Sequence, residues 1–186
     1  GSEIAGLGGD EQFVKSTASG KIYQGIYGNN IIFSTELEGG ILSMGKGYSK
    51  VVDRFLLGGR SFRGFKYSGI GPRELSGGSY TIPLGGENYA IARFAASFPL
   101  GLPRELGLYG SVFAETGALW GLKTDPSVQG LSDKVALTER NFRSSIGFAM
   151  NWETPIGPLQ FNWSRPQKYL EADSLEYFSL NLATRF

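Results

Sequence analysis

The chain holds no cysteine and no histidine in its 186 residues. The first absence excludes disulfides and thiolate metal sites. The second removes the commonest general base, metal ligand and pH switch together. An excess of either charge is lacking too: 18 Lys and Arg face 17 Asp and Glu, a net +1. The basic residues do not cluster, so the electrostatic footprint of a nucleic-acid binder is absent. No run of about 20 apolar residues occurs, which excludes a membrane-spanning helix. No GxxxxGK[ST] phosphate cradle is present. Nothing in this inventory asks for a cofactor or a metal. Charged residues make up 19%, below the roughly 25% of ordinary soluble domains.

Glycine, by contrast, is plentiful at 28 residues, and aromatics reach 13%. The length suits one domain. Gly1-Ser2 reads as the remnant of a cleaved tag, which leaves residues 3–186 as a single domain cut from something longer.

The dominant signal has a period of two. Near the end, Phe178, Leu180, Leu182, Thr184 and Phe186 oppose Ser179, Asn181, Ala183 and Arg185. Such alternation marks a strand with one apolar and one polar face. Leu159, Phe161 and Trp163 oppose Gln160, Asn162 and Ser164 in the same way. Phe142, Ile146, Phe148, Met150 and Trp152 oppose Arg143, Ser145, Gly147, Ala149 and Asn151. Upstream, Leu106, Leu108, Val112 and Ala114 oppose Tyr109, Ser111 and Glu115, and Ala90 to Phe98 opposes Tyr89, Arg93 and Ser97. Ile31, Phe33, Leu37 and Ile41 oppose Ser34, Glu36 and Glu38. Weaker patterns cover residues 12–24 and 4–9. Eight strands and no helix are expected. Turn signals stand at Gly8-Gly9-Asp10, Tyr27-Gly28-Asn29-Asn30 and Thr154-Pro155-Ile156-Gly157-Pro158. Long connections are expected over about 45–86 and about 121–139.

Alternation fits either a soluble sandwich or lipocalin-like barrel, with its apolar face inside, or a membrane barrel, with that face towards lipid. Three features favour the membrane. The polar faces carry glycine, serine and alanine with few charges, long and short connections alternate, and Trp120, Trp152, Trp163, Tyr109, Phe178 and Phe186 sit towards strand ends, as interfacial girdles do.

Four stretches then carry a resemblance. They are Phe62-Arg63-Gly64-Phe65 followed by Ile70-Gly71-Pro72; Gly85-Gly86 opening a strand that ends at Pro99; Phe113-Ala114-Glu115-Thr116-Gly117 leading to Trp120; and Trp152 to Leu159 with Phe161 and Pro166, followed by the terminal strand. In this order, across residues 30–186, the chain resembles the C-terminal half of the barrel in the BamA family of outer-membrane assembly factors, within the bacterial surface antigen superfamily. The family barrel carries sixteen strands preceded by periplasmic domains, so the resemblance implies an antiparallel transmembrane β-barrel half of eight strands, located in the bacterial outer membrane.

The resemblance implies site residues as well. Phe62, Arg63, Gly64 and Phe65 match the motif of a long loop that folds into the barrel lumen. There Arg63 would meet the inward-facing acid Glu115, because a guanidinium fork suits a carboxylate and an unpaired lumen charge is costly. A second acid of the family pattern is replaced by Ala95, which leaves Glu36 and Glu38 as alternative partners. Phe178, Leu180, Leu182 and Phe186 resemble the terminal-strand signal that outer-membrane proteins present to their assembly machinery. Glu3, Asp10, Glu11, Lys46, Lys50, Asp53, Arg54, Asp125, Asp133, Lys134, Glu139 and Arg140 read as solvated loop or turn residues.

The implied function is non-enzymatic insertion of outer-membrane proteins. Its partners would be the lipid bilayer (or detergent) and, for the full-length protein, nascent outer-membrane proteins and accessory lipoproteins; a shortened chain is expected to be inactive alone. The alternative is a passive pore or two-partner-secretion-type transporter. An enzyme is disfavoured, since no histidine is present and no serine stands beside an evident base. Two raw sheet edges in lipid demand satisfaction, either by self-closure into eight strands, the favoured route, or by pairing two copies into a sixteen-stranded ring.

Overall fold

A computed structural model describes residues 2–5, 12–26, 30–123, 134–155 and 157–182. The described chain is all β apart from one turn of 3-10 helix at Arg104–Leu106. Eleven strands occur in chain order: β1 (Ser2–Ala5), β2 (Gln12–Ile26), β3 (Ile31–Lys46), β4 (Arg73–Ser76), β5 (Ser79–Pro83), β6 (Asn88–Pro99), β7 (Leu108–Trp120), β8 (Val135–Ala136), β9 (Arg143–Thr154), β10 (Gly157–Lys168) and β11 (Phe178–Leu182). Eight of them form one antiparallel ladder in the order β1-β2-β3-β6-β7-β9-β10-β11, and β5, β4 and β8 form a small separate sheet.

The registers align the parities read from the sequence. Phe33 pairs with Ala96, Phe94 with Ala114, Val112 with Phe148, and Trp163 with both Phe148 and Phe178. One face of the ladder is therefore apolar from β2 to β11, and it is bare: Ile22 is 71% exposed, Leu37 58%, Ile41 60% and Phe94 46%. Trp163 links Phe148 and Phe178 into an aromatic row, with centroids 5.9 and 5.5 Å apart. A contiguous apolar face of this extent needs a non-aqueous neighbour. The soluble arrangement, with this face as an internal core, is not what the chain builds.

The core lies on the other face. Leu42, Tyr89, Ile91 and Leu119 point there from β3, β6 and β7 and pack with Phe55, Leu57, Phe62, Phe65 and Ile70 of the connection between β3 and β4. The long connection is thus not a surface loop but a filling laid on the polar side of the sheet. A cavity of about 640 Å³ beside it is lined from Lys21 of β2 to Gln160 of β10. Those strands stand second and seventh in the ladder, about 24 Å apart if flat, so the sheet bends around the loop.

The ladder does not close. Among the described residues β1 pairs with β2 alone and β11 with β10 alone. The self-closed eight-stranded barrel favoured from the sequence is therefore corrected to an open, curved sheet. Volume explains it: an eight-stranded barrel has an interior that side chains alone fill, whereas this one accommodates a packed loop.

Other boundaries shift modestly. β3 continues beyond Ile41 to Lys46, and β7 reaches Trp120. The β4–β5 hairpin inside the long connection was unread, although Gly77-Gly78, both at positive φ (57° and 81°), is a strong two-residue hairpin signal. Gly8-Gly9-Asp10, Glu11, Tyr27-Gly28-Asn29, Asp125, Asp133, Thr184 and Phe186 lie outside the described residues.

Candidate functional site

The site is the inner face of the ladder with its loop, together with the edge strand β11 that the loop reaches. Its centre is Arg63. The guanidinium donates through Nε to Glu115 Oε1 at 2.6 Å, and Nη2 lies 2.6 Å from the same oxygen. The other oxygen, Oε2, accepts the backbone N–H of Arg63 at 2.8 Å. One carboxylate on β7 thus satisfies both the charge and the main chain of the loop tip. The guanidinium also lies over the Phe113 ring, 3.5 Å from its centroid, a stacked cation–π arrangement that suits arginine better than lysine. Ser145 Oγ on β9 donates to the Arg63 carbonyl at 2.6 Å. Four polar contacts from two wall strands therefore hold one residue.

The residues around Arg63 are shaped by this approach. Gly64 adopts φ +92°, and a Cβ there would stand 2.9 Å from Ser145 Cβ; a side chain would clash with the wall as well as strain the backbone. Phe62 and Phe65 stack with centroids 5.1 Å apart and are wholly buried. Gly40 on β3 leaves room for Tyr89 and Phe55, whose ring atoms lie 2.3 and 2.8 Å from where its Cβ would be. Glycine in this wall is thus space for aromatic rings of the loop and its neighbours.

Glu36 and Glu38, proposed as alternative partners of Arg63, belong to a different arginine. Arg93 Nη1 donates to Glu36 Oε1 at 3.0 Å and to Glu38 Oε2 at 2.7 Å, while its Nη2 donates to the Ser61 carbonyl at 2.6 Å. Tyr89 Oη donates to Glu38 Oε1 at 2.7 Å, and Lys21 Nζ lies 3.3 Å from Glu36 Oε2. This network joins β2, β3 and β6 to the loop. Sequence reading placed Arg93 on the polar face but assigned it nothing; a lone charge at the centre of a strand, on a face shared with Tyr89, Ile91, Ala95 and Ser97, was the available signal.

Two further clusters were missed. Arg143 and Asp173 form a buried pair, with Leu170 N–H donating to Asp173 Oδ2 at 2.7 Å. Glu87 accepts from Ser49 Oγ at 2.7 Å, and Arg54 Nε donates to the same Ser49 oxygen at 2.9 Å. Arg54, read as a solvated residue, is instead half-buried, donates also to the Ser49 and Leu84 carbonyls, and ties the loop base together. Burial holds the Arg54 and Arg73 guanidinium pKa values below the ordinary arginine range.

The loop reaches the terminal strand as well. Lys66 N–H donates to the Ser174 carbonyl, Ser174 N–H to Gly69 O, and Glu176 N–H to Gly64 O, at 2.8 to 3.0 Å. Phe65 and Leu175 form an antiparallel bridge. The loop tip thus makes a short ladder with the segment that leads into β11. Phe178, Leu180 and Leu182 point away from the loop, onto the apolar face, and all three are exposed.

Among the described residues no group of three or more acidic residues could hold a metal ion. The arrangement binds and positions the backbone of the loop.

An open antiparallel ladder, greasy on one side and plugged on the other by its own loop, defines a membrane β-barrel wall. The Omp85 superfamily domain matches residues 1–186, and the chain belongs to that superfamily; this makes the outer membrane its location. Within the superfamily it is similar to the outer membrane protein assembly factor BamA of Neorickettsia risticii, 28% identical over 190 residues, covering 100% of this chain and 24% of the relative. The Neisseria meningitidis BamA is 27% identical over 172 residues, covering 82% of this chain and 22% of that protein. A mouse sorting and assembly machinery component 50 homolog is 38% identical over 114 residues, 60% of this chain and 23% of that protein. The chain thus spans about a quarter of the length of these relatives. The crystal structure of BamA from Haemophilus ducreyi lacking POTRA domains 1-3 superposes with a TM-score of 0.78 at 22% identity, over 96% of this chain and 36% of that one. That likeness concerns the fold alone.

Proposed function

We propose that this chain is the strand-accepting wall of an outer-membrane protein assembly machine, acting without covalent chemistry. Its substrate would be an unfolded outer-membrane protein, and its mechanism strand addition at an open sheet edge. The observation that carries this is β11: a strand bearing Phe178, Leu180 and Leu182 on the apolar face and, among the described residues, paired on one side only. An unpaired edge is a template for another strand, with main-chain hydrogen bonds supplying affinity and alternate side chains the register.

The loop supports the reading. Anchored by Arg63 on Glu115, it holds the inner face in place while the edge has no partner strand among the described residues. Open edges in hydrocarbon cost several kcal/mol for each unsatisfied group, so β1 and β11 would be completed by further strands, from the rest of a longer barrel or from a second copy. Accessory lipoproteins would contribute only to the complete protein. A passive pore or secretion transporter draws less support, because the loop packs where a channel would run.

The test is site-specific photo-crosslinking. The refolded chain would carry a photoactivatable residue at position 180 or, as a control, at position 37 on the same apolar face. Unfolded outer-membrane barrel protein should label at 180 several-fold more than at 37. Equal labelling would end the strand-acceptor reading, and single-channel conductance with cargo passage would replace it by the transporter.

A further inference from the structure

The backbone groups of β11 can be assigned to its two sides. Ser164 N–H donates to the Tyr177 carbonyl, and the ladder pairs Trp163 with Phe178 and Asn162 with Ser179. In an antiparallel pair a residue's N–H and C=O point to the same side, and successive residues alternate. Tyr177, Ser179 and Asn181 therefore bond to β10, while Phe178, Leu180 and Leu182 aim their N–H and C=O groups at the free edge. The far side of β10 agrees. Glu153 N–H donates to Gly107 O, so odd residues of β9 face β7 and even ones face β10. Trp152 pairs with Leu159, which turns odd residues of β10 towards β9 and even ones towards β11.

The Leu182 carbonyl is thus an acceptor at the open edge, and it is occupied. Arg60 Nη2 donates to it at 3.0 Å. Arg60 belongs to the inner loop, three residues before Arg63. It passes a cavity of about 240 Å³ that it lines with Asn151, Pro158, Leu159, Gln160 and Asn181, and so reaches the edge from inside. The loop is stitched to the start of β11 through Phe65 and Leu175, and Arg60 adds a contact at the strand's other end.

We infer that Arg60 caps the free edge of β11 and acts as a brake on strand addition: an incoming strand must displace the guanidinium from the Leu182 carbonyl before it can pair there. The inference rests on the strand-acceptor reading and deepens it. The occupant displaced into is an extended peptide of alternating apolar and polar residues, since only that pattern keeps apolar side chains beside Phe178, Leu180 and Leu182. Charged groups at a sheet edge are a general device against unwanted pairing. Here the charge comes from an exposed side chain of the loop, Arg60, while the strand itself stays apolar.

The test uses the refolded chain in detergent micelles and a fluorescent peptide with the sequence of residues 178–186. Loss of one charge-assisted hydrogen bond should raise peptide affinity about tenfold in Arg60→Ala. Arg60→Lys, which keeps a donor on a shorter reach, should fall between Arg60→Ala and the parent. Heat-modifiable gel mobility of all three should be the same, because Arg60 is exposed and outside the core. Equal affinity of parent and Arg60→Ala overturns the brake and leaves the acceptor reading standing. Binding to neither form overturns the acceptor reading, and the brake with it.

Discussion

Arg143 and Asp173 meet as a two-point ion pair with no solvent on either side chain: Nε to Oδ2 is 3.0 Å, Nη2 to Oδ1 is 3.1 Å, and both side chains are 0% exposed. The pair joins wall strand β9 to the turn that precedes β11. Arg143 Nη1 also donates to the Asn141 carbonyl at 2.6 Å. The turn that meets the loop tip is thereby locked to the wall.

Breaking this pair on one side strands a buried charge. Asp173→Ala should destabilise the folded chain by about 3–5 kcal/mol, read as a lower urea midpoint in micelles. Arg143→Met combined with Asp173→Leu should recover much of that loss, since a matched apolar pair removes the desolvation cost. A double variant as unstable as Asp173→Ala would show that the turn needs the hydrogen bonds themselves.

Glu115→Ala leaves the Arg63 guanidinium and its backbone N–H without their acceptor. Release of the loop should appear as faster trypsin cleavage after Arg63 and Lys66, on the order of a hundredfold for about 3 kcal/mol. Arg63→Lys in the parent chain should loosen the loop as well, because an ammonium can neither fork onto the Glu115 carboxylate nor lie flat on Phe113. Unchanged cleavage would mean that the apolar contacts of Phe62 and Phe65 hold the loop alone.

Gly64→Ala tests the fit of the loop tip. The positive φ and the contact with Ser145 together should cost about 1–3 kcal/mol, seen as increased cleavage at the same sites. Gly78→Ala, at positive φ but with nothing within 4 Å of its Cβ, should leave loop docking as it is.

The assignment of faces is testable by charge. Leu37→Arg on the apolar face should lower stability in vesicles by about 2–4 kcal/mol near the bilayer midplane. Ser34→Arg, which faces the 640 Å³ cavity, should fold nearly as well as the parent. Equal yields of the two folded variants would contradict a lipid-facing sheet.

The strands were legible because period-two alternation accumulates over consecutive residues, as from Phe142 to Trp152. The β4–β5 hairpin was legible too, in Gly77-Gly78, but its flanks are short and one ends in Pro83. Arg63 and Glu115 came from motif resemblance, not spacing. The Arg93 and Arg143 networks were invisible, since their partners stand 57 and 30 residues away in sequence and no local pattern links them.

By itself the sequence determined which side of each strand is apolar, because side chains alternate with the pleat whatever surrounds them. It also determined that no histidine, cysteine or long apolar helix takes part. Only the tertiary structure decided that the ladder stays open, which acid each arginine meets, and that the loop reaches the edge of β11. Those outcomes depend on how far the sheet bends and on what volume the loop fills, and both are properties of the assembled fold that no stretch of chain carries alone.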